Sequence, residues 1–303
     1  MNKIYAVSIL GLSLLSAGCG TSENNSGTTG SLSLNITDAP IDSANSVVVQ
    51  FSAVQIRGTE ANQNIDFNFD TPKSIDLLLL QGSESESLFT NETVPAGTYD
   101  EVRLIVDAED GTQDSFIVLT EGGQQHDLSV PSGSQSGLKI KGSFVVPANG
   151  SASFTADFDV RKSIIKSGNP GNPKYHLKPV IRIVDNAEVG HIQGTVDTAL
   201  LTDPGCSDAD ADTYNAVYVF EGSAITPDDI DGDTIEPVVA SLLKYDSLSD
   251  TYSYEAGFLL AGEYTLSFTC NSDLEDIQTN DDLKFQGTQS ATVITGEPTS
   301  VNF

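Results

Sequence analysis

Residues 46–57 read SVVVQFSAVQIR, and the reading of this stretch decides the fold. Val47, Val49 and Phe51 are apolar at odd positions, whereas Val54 and Ile56 are apolar at even ones. Within each run the alternation has period two, as a strand with one buried face requires, because successive side chains leave opposite faces. The parity changes between Phe51 and Val54. A single strand keeps both runs on one core face only by accommodating an extra residue, so the spacing predicts a β-strand with a bulge. β-branched residues dominate, which suits a pleated, half-buried surface.

The same signal recurs on both sides. SLSLNI from Ser31, EVRLIVDA from Glu101, DSFIVLTE from Asp114, LKIKGSFVV from Leu138, SASFTADFDV from Ser151 and HLKPVIRIV from His176 all read as strands. HIQGTV from His191, NAVYVFEG from Asn215, YSYEAGF from Tyr252, GEYTLSFTC from Gly262, QSATVIT from Gln289 and TSVNF from Thr299 follow. Gly, Pro, Asn and Ser punctuate them, and one short helical piece is expected around Ile75 to Gln81. The pattern predicts an all-β chain with two β-sandwich domains in tandem. One phrase occurs in both halves: VPAGTYDEVRLIV from Val94 and LLAGEYTLSFTC from Leu259 each carry Ala-Gly-x-Tyr into an alternating strand. Gly97 and Gly262 suit a tight turn, and Tyr99 and Tyr264 can pack at the first core position, which hints at two related sandwiches.

Charge marks the expected boundary. The formal net charge is −29. Residues 20–186 hold 21 acidic and 11 basic residues, a net of −10; residues 187–303 hold 22 acidic and 2 basic, a net of −20. The abrupt shift places one domain at 31–186 and an acidic one at 187–303. Such a surface repels nucleic acid and anionic lipid, and suits solubility, salt tolerance or divalent cations.

The start of the chain is layered. Lys3 is followed by an apolar run from Ile4 to Leu15, the small residues Ser16, Ala17 and Gly18, and Cys19. The apolar run is shorter than the roughly 20 residues needed to span a bilayer, and the order is that of a secretory signal. The polar run after Cys19, to Gly30, reads as a flexible tether. Ala17-Gly18-Cys19 resemble the lipobox of bacterial lipoproteins, although Ser16 stands where leucine is commoner. The resemblance implies cleavage of residues 1–18, acylation of Cys19 with palmitate-type chains, and, with Gly rather than Asp at position 20, anchoring at the outer membrane. Several acyl chains give a stable anchor where one does not. The remaining cysteines, Cys206 and Cys270, form an even pair in an exported chain and are expected to form a disulfide.

The stretches LSLNITDAPIDSANSVVVQFSAVQI, IDLLLLQG, VPAGTYDEVRL, SGLKI, DFDVRKSI and YHLKPVIRIV resemble the bacterial lipoprotein family known as domain of unknown function 4382, over roughly residues 30–185. That resemblance implies a secreted β-domain and brings no activity. GHIQGTV, AVYVFEG, LLAGEYTLSF and the closing VNF resemble the carboxypeptidase-regulatory-like, prealbumin-type sandwich, a fold used by carbohydrate-binding modules and by spacers alike.

Chemistry-bearing motifs are few. His126, His176 and His191 show no zinc-like spacing, and no nucleophile elbow, zinc-protease helix or phosphate loop occurs. In DFDVRK, Asp157 and Asp159 share one strand face. They can bind a ligand or cation, act as an acid–base pair, or pair with Arg161, Lys162, Lys139 or Lys141. Asp38 precedes Ala39-Pro40 and is expected to stabilise a turn, with a ligand role as the alternative. Two Asp-rich loops are calcium candidates: Asp208, Asp210 and Asp212 alternate in one, and Asp228, Asp229, Asp231 and Asp233 surround Gly232 in the other. Calcium takes six to eight oxygens, which such loops can supply; a solvated acidic surface is the alternative. The sequence thus predicts a lipid-anchored, non-enzymatic binding or adhesion protein. Its partner is an envelope component or a glycan, with Tyr214, Tyr218, Tyr252 and Tyr254 as candidate sugar-stacking groups.

Overall fold

A computed structural model describes residues 28–39, 41, 43–130, 136–169, 171–204 and 215–303. Cys19, Cys206, Asp208, Asp210, Asp212 and Tyr214 lie outside the described residues. In the first half the strands are β1 (Thr29–Ala39), β2 (Ala44–Gly58), β3 (Ile65–Asp76), β4 (Glu86–Pro95), β5 (Gly97–Asp107), β6 (Phe116–Leu119), β7 (Gln125–Ser129), β8 (Leu138–Val146), β9 (Ser151–Asp159), β10 (Ile164–Asn169), β11 (Asn172–Leu177) and β12 (Ile181–Asp185). The short helix α1 (Val160–Ser163) follows β9. In the second half are β13 (Val189–Val196), the short helix α2 (Thr198–Leu201), β14 (Ala216–Glu221), β15 (Val239–Leu242), β16 (Lys244–Asp246), β17 (Thr251–Leu260), β18 (Gly262–Thr269), β19 (Gln286–Val293) and β20 (Pro298–Ser300).

The chain is all-β and builds sandwiches, as the alternation predicts. In the first half a sheet ordered β12-β9-β1-β4 faces one ordered β10-β11-β7-β6-β2-β5-β8, to which β3 adds by pairing with β2. In the second half β16-β17-β13-β20 faces β15-β14-β18-β19. Among the described residues no strand is shared between the halves.

The parity change at residues 51–54 is a bulge: β2 shifts register between Phe51 and Ala53 against both β3 and β5. Val47, Val49, Phe51, Val54 and Ile56 are all fully buried, so the bulge does keep both runs on one core face. The helical expectation near Ile75 is met only by a 3-10 turn, Leu77–Leu79, after β3. Strands β3 and β4 were not expected. Ile65, Phe67 and Phe69 alternate, but Pro72 interrupts them; Pro is tolerated because, among the described residues, β3 pairs with β2 alone and forms an edge.

The two halves repeat one topology. β1 is flanked by parallel β9 and antiparallel β4, and β13 by parallel β20 and antiparallel β17. β5 lies between β2 and β8, as β18 lies between β14 and β19. The Ala-Gly-x-Tyr phrase turns the equivalent corner in each. Tyr99 donates its hydroxyl to the Pro95 carbonyl at 2.7 Å and Tyr264 to the Leu260 carbonyl at 2.9 Å, each four residues upstream. Burial holds both phenols above their usual pKa. This is the tyrosine-corner device known from other sandwiches.

The halves differ in how their cores are closed. The first has one core, spanning both sheets from Leu32 and Phe158 to Phe51 and Leu104. The second has a core between its sheets, including Ile192, Val217, Leu266 and Phe268, and a separate apolar cluster on the opposite face of β14, with Tyr218 and Phe220 under Ile230 and Leu283. Its cover is the connections 222–238 and 270–285.

Candidate binding cleft

The halves meet along a seam that two glycines permit. A Cβ on Gly257 would stand 2.0 Å from the Gly82 carbonyl oxygen, so only backbone without a side chain lets the turn after Leu79 reach β17. The contact sits at a second bulge: opposite β13, register shifts between Gly190 and Ile192, leaving Gly257 and Phe258 as the extra span. Phe258 is held at φ 52°, a left-handed conformation costly for a bulky residue.

Helix α1 supplies the polar part of the seam. Lys162 Nζ donates to the Pro237 carbonyl and pairs with Glu236, both at 3.1 Å, and lies 3.5 Å from Asp159. Asp159 also caps α1, accepting from the Lys162 amide. Arg161 Nη1 donates to the Tyr218 hydroxyl at 3.4 Å.

The remaining acidic candidates are structural in their contacts. Asp157 pairs with Arg182 at 2.6 Å, a partner on β12 that sequence spacing does not indicate. Burial pushes its carboxyl up, against the pull of Arg182. Asp38, expected to serve the turn before Pro40, accepts from the Val160 amide at 3.2 Å, because parallel β1 and β9 end together with Asp38 beside Phe158; Pro40 lies outside the described residues. Thr37, Asp38, Asp157, Glu255 and Phe258 surround a void of about 10 Å³. That is room for about one water molecule and for no larger ligand.

Beyond this void the seam opens into a cleft of about 310 Å³, within the size range of small-molecule sites. Gln81 and Gly82 form one wall; Gln193, Thr195, Ser241, Lys244 and Glu255 are among the residues of the other. Amides and hydroxyls prevail, joined by one ammonium and one carboxylate. Ser241 donates to the Glu255 carbonyl at 2.8 Å, and His191 lies 3.9 Å from the Glu255 carboxylate. No described lining residue pairs a nucleophile with a histidine. Elsewhere, His176 on β11 has both ring nitrogens engaged, by Ser129 at 2.9 Å and Ser167 at 2.8 Å.

The described tyrosines among those considered for sugar stacking are not exposed platforms. Tyr218, Tyr252 and Tyr254 are 0%, 8% and 3% exposed, because strand parity turns Tyr252 and Tyr254 of β17 into the core between the sheets and the connections over the outer face of β14 cover Tyr218. Tyr254 donates to the Val301 carbonyl at 2.8 Å. Tyr245, half-exposed and packed on Tyr252 at 4.8 Å between ring centroids, is the accessible aromatic of this region.

In the second Asp-rich loop the four aspartates are differently placed. Asp229 is buried, whereas Asp233 is exposed and Asp228 and Asp231 are partly so. Asp228 and Asp231 accept backbone amides of Asp229 and Asp233. The groups that join Asp229 are Glu275 and Asp281, 275 − 229 = 46 and 281 − 229 = 52 positions away, which no local motif signals. Cys270 directly follows β18, is 1% exposed and is not a free thiol.

Residues 29–179 match the family described as Domain of unknown function (DUF4382). No curated protein matches the sequence. Among solved structures, the minor pilin of Streptococcus agalactiae is 10% identical, with 89% of this chain and 94% of that one covered and a TM-score of 0.20. A fimbrial protein of Bacteroides ovatus is 10% identical, with 92% and 49% covered and a TM-score of 0.21. A leucine-rich repeat protein of Bacteroides thetaiotaomicron is 12% identical, with 91% and 26% covered and a TM-score of 0.20; the chain thus spans about a quarter of that protein. Superpositions this poor carry no argument about activity. Among the described residues no helix is long and apolar enough to cross a membrane.

Proposed function

We propose that this chain is a lipid-anchored, non-enzymatic protein of the bacterial envelope, held at the outer membrane through Cys19, that binds an envelope component in the cleft between its halves. The observation carrying this reading is the cleft itself: open, walled by both halves and rich in hydrogen-bonding groups. A seam closed by Gly82 against Gly257 and by Lys162 holds the walls in fixed relation, which lowers the cost of binding by preorganisation. A glycan is the ligand class favoured by the Gln81, Gln193, Thr195 and Ser241 lining, with hydrogen bonds rather than aromatic stacking giving recognition.

Two measurements test this. Cys19→Ser should leave an uncleaved, unacylated precursor, and a Cys19→Ser protein still recovered in acylated mature form overturns the anchor. Gln193→Trp, at an exposed position, should fill the cleft and abolish binding to isolated envelopes or arrayed polysaccharides without changing the thermal melt. Unchanged binding by that variant would remove the cleft from the function.

A further inference from the structure

The outer face of β14 needs a cover, and its cover is unusual. Residues 216–220 are buried on both faces of the strand: Val217 and Val219 enter the core between the sheets, while Ala216, Tyr218 and Phe220 point the other way. Among the described residues no α-helix or strand caps that second face. The connections 222–238 and 270–285 do so, with Ile230 and Leu283 as their buried contributions. Both are longer than most connections, the second carrying one short 3-10 turn at Ser272–Leu274, and both are strongly acidic.

Where the connections meet, three carboxylates converge. Oxygens of Asp229, Glu275 and Asp281 all lie within 4.8 Å of one another. Asp229 is 1% exposed. Its Oδ2 accepts from the Asp281 amide at 2.6 Å, and its Oδ1 is buried without a hydrogen-bond partner. A buried carboxylate oxygen left unpaired is costly, and two further carboxylates beside it add repulsion. The neighbouring cation, Arg161, reaches Glu275 through Tyr218, whose hydroxyl donates to Glu275 Oε2 at 2.7 Å.

We propose that Asp229, Glu275 and Asp281 form a calcium site that clamps the two connections over the outer face of β14. Oxygens held at about 2.3–2.6 Å from one calcium ion are at most about 5 Å apart, and the convergence of these three carboxylates is compatible with that span. Irregular loops also suit calcium's tolerance of varied geometry, with carbonyls and water completing the shell. The clamp bears on the seam as well. Glu236, on the Asp229 connection, accepts from the Asp231 and Gly232 amides and pairs with Lys162. Calcium would therefore hold the loop to which the first half docks. This inference is independent of what occupies the cleft.

The test uses the full chain, titrated with calcium chloride, magnesium chloride and sodium chloride at matched ionic strength. It is followed by calorimetric binding and by thermal unfolding. The expected result is saturable calcium binding and a raised unfolding temperature for the second half that sodium does not reproduce and magnesium reproduces only weakly. Asp229→Asn should weaken calcium binding about tenfold or more, since affinity follows the count of ligand charges, while leaving the metal-free protein as stable as before or more so. Asp233→Asn, exposed on the same connection, should leave binding intact. Should Asp229→Asn fail to fold, Asp281→Asn decides in its place. Equal shifts in sodium and calcium, or a calcium response that survives both Asp229→Asn and Asp281→Asn, overturns the site.

Discussion

The strands before the two tyrosine corners carry the same irregularity and put it to different uses. In β4 a bulge between Phe89 and Glu92 places Asn91 at φ 57°; in β17 a bulge between Ala256 and Leu259 places Phe258 at φ 52°. Asparagine tolerates the left-handed region, and Asn91 is exposed. Phenylalanine tolerates it poorly, and Phe258 lies at the seam beside Gly257. The first half thus turns its corner with little strain in open solvent, while the second stores strain where it meets its neighbour. The cores differ in the same sense. Extra strands complete the first half, whereas the second is finished by acidic loops over β14. One topology, closed twice by different means, yields one half whose stability rests on apolar burial and another that depends also on its loops and their charges.

The largest expected effects probe the two cores. Phe51→Ala and Phe268→Ala each empty a fully buried ring site and should each cost about 3–5 kcal/mol. If the halves unfold as separate units, each variant lowers only its own calorimetric transition; a single transition lowered equally by both would break the comparison. Next is the cysteine pair. Thiol labelling of the denatured, unreduced protein should find neither Cys206 nor Cys270. Reduction should destabilise the second half by about 4 kcal/mol, from the loop-closure entropy of a 270 − 206 = 64-position span. Full labelling of both thiols would reject the bridge.

Gly257→Ala should then cost about 1–3 kcal/mol through overpacking against the Gly82 carbonyl. It should also weaken docking of the halves, read as faster proteolysis at the seam. Smallest are the corners: Tyr99→Phe and Tyr264→Phe should each cost about 1 kcal/mol, the worth of one hydrogen bond, and by similar amounts if the corners are equivalent. The phenols also set an alkaline limit. Burial raises the folded-state pKa of Tyr99, Tyr254 and Tyr264, so the fold favours the neutral form. The resulting stability is fully present below the unfolded value near 10 and is lost as pH rises through the higher folded values. Unfolding free energy should therefore fall above about pH 10, and Tyr254→Phe should flatten that fall; a profile identical to the parent's would count against it.

What the sequence determined by itself is what periodicity and local chemistry encode. Alternation at residues 46–57 specifies a bulged strand because burying Val47 to Phe51 together with Val54 and Ile56 on one face leaves no other solution. Ala-Gly-x-Tyr specifies a corner because its hydroxyl reaches a carbonyl only four residues back. Both interactions lie within a strand or a turn, so a single stretch of chain contains all their parts. The contacts that build the sites do not. Asp157 finds Arg182 because β9 and β12 are neighbours, and Asp38 reaches the Val160 amide because β1 and β9 run parallel. Asp229 meets Glu275 and Asp281 because two connections fold over one face of β14. Carboxylates in acidic loops obey no period, and the Asp-rich spacing around Gly232 pointed to Asp228, Asp231 and Asp233 rather than to partners 46 and 52 positions away. Which of many similar acids become buried neighbours is decided by strand order and loop path, and these are properties of the whole fold.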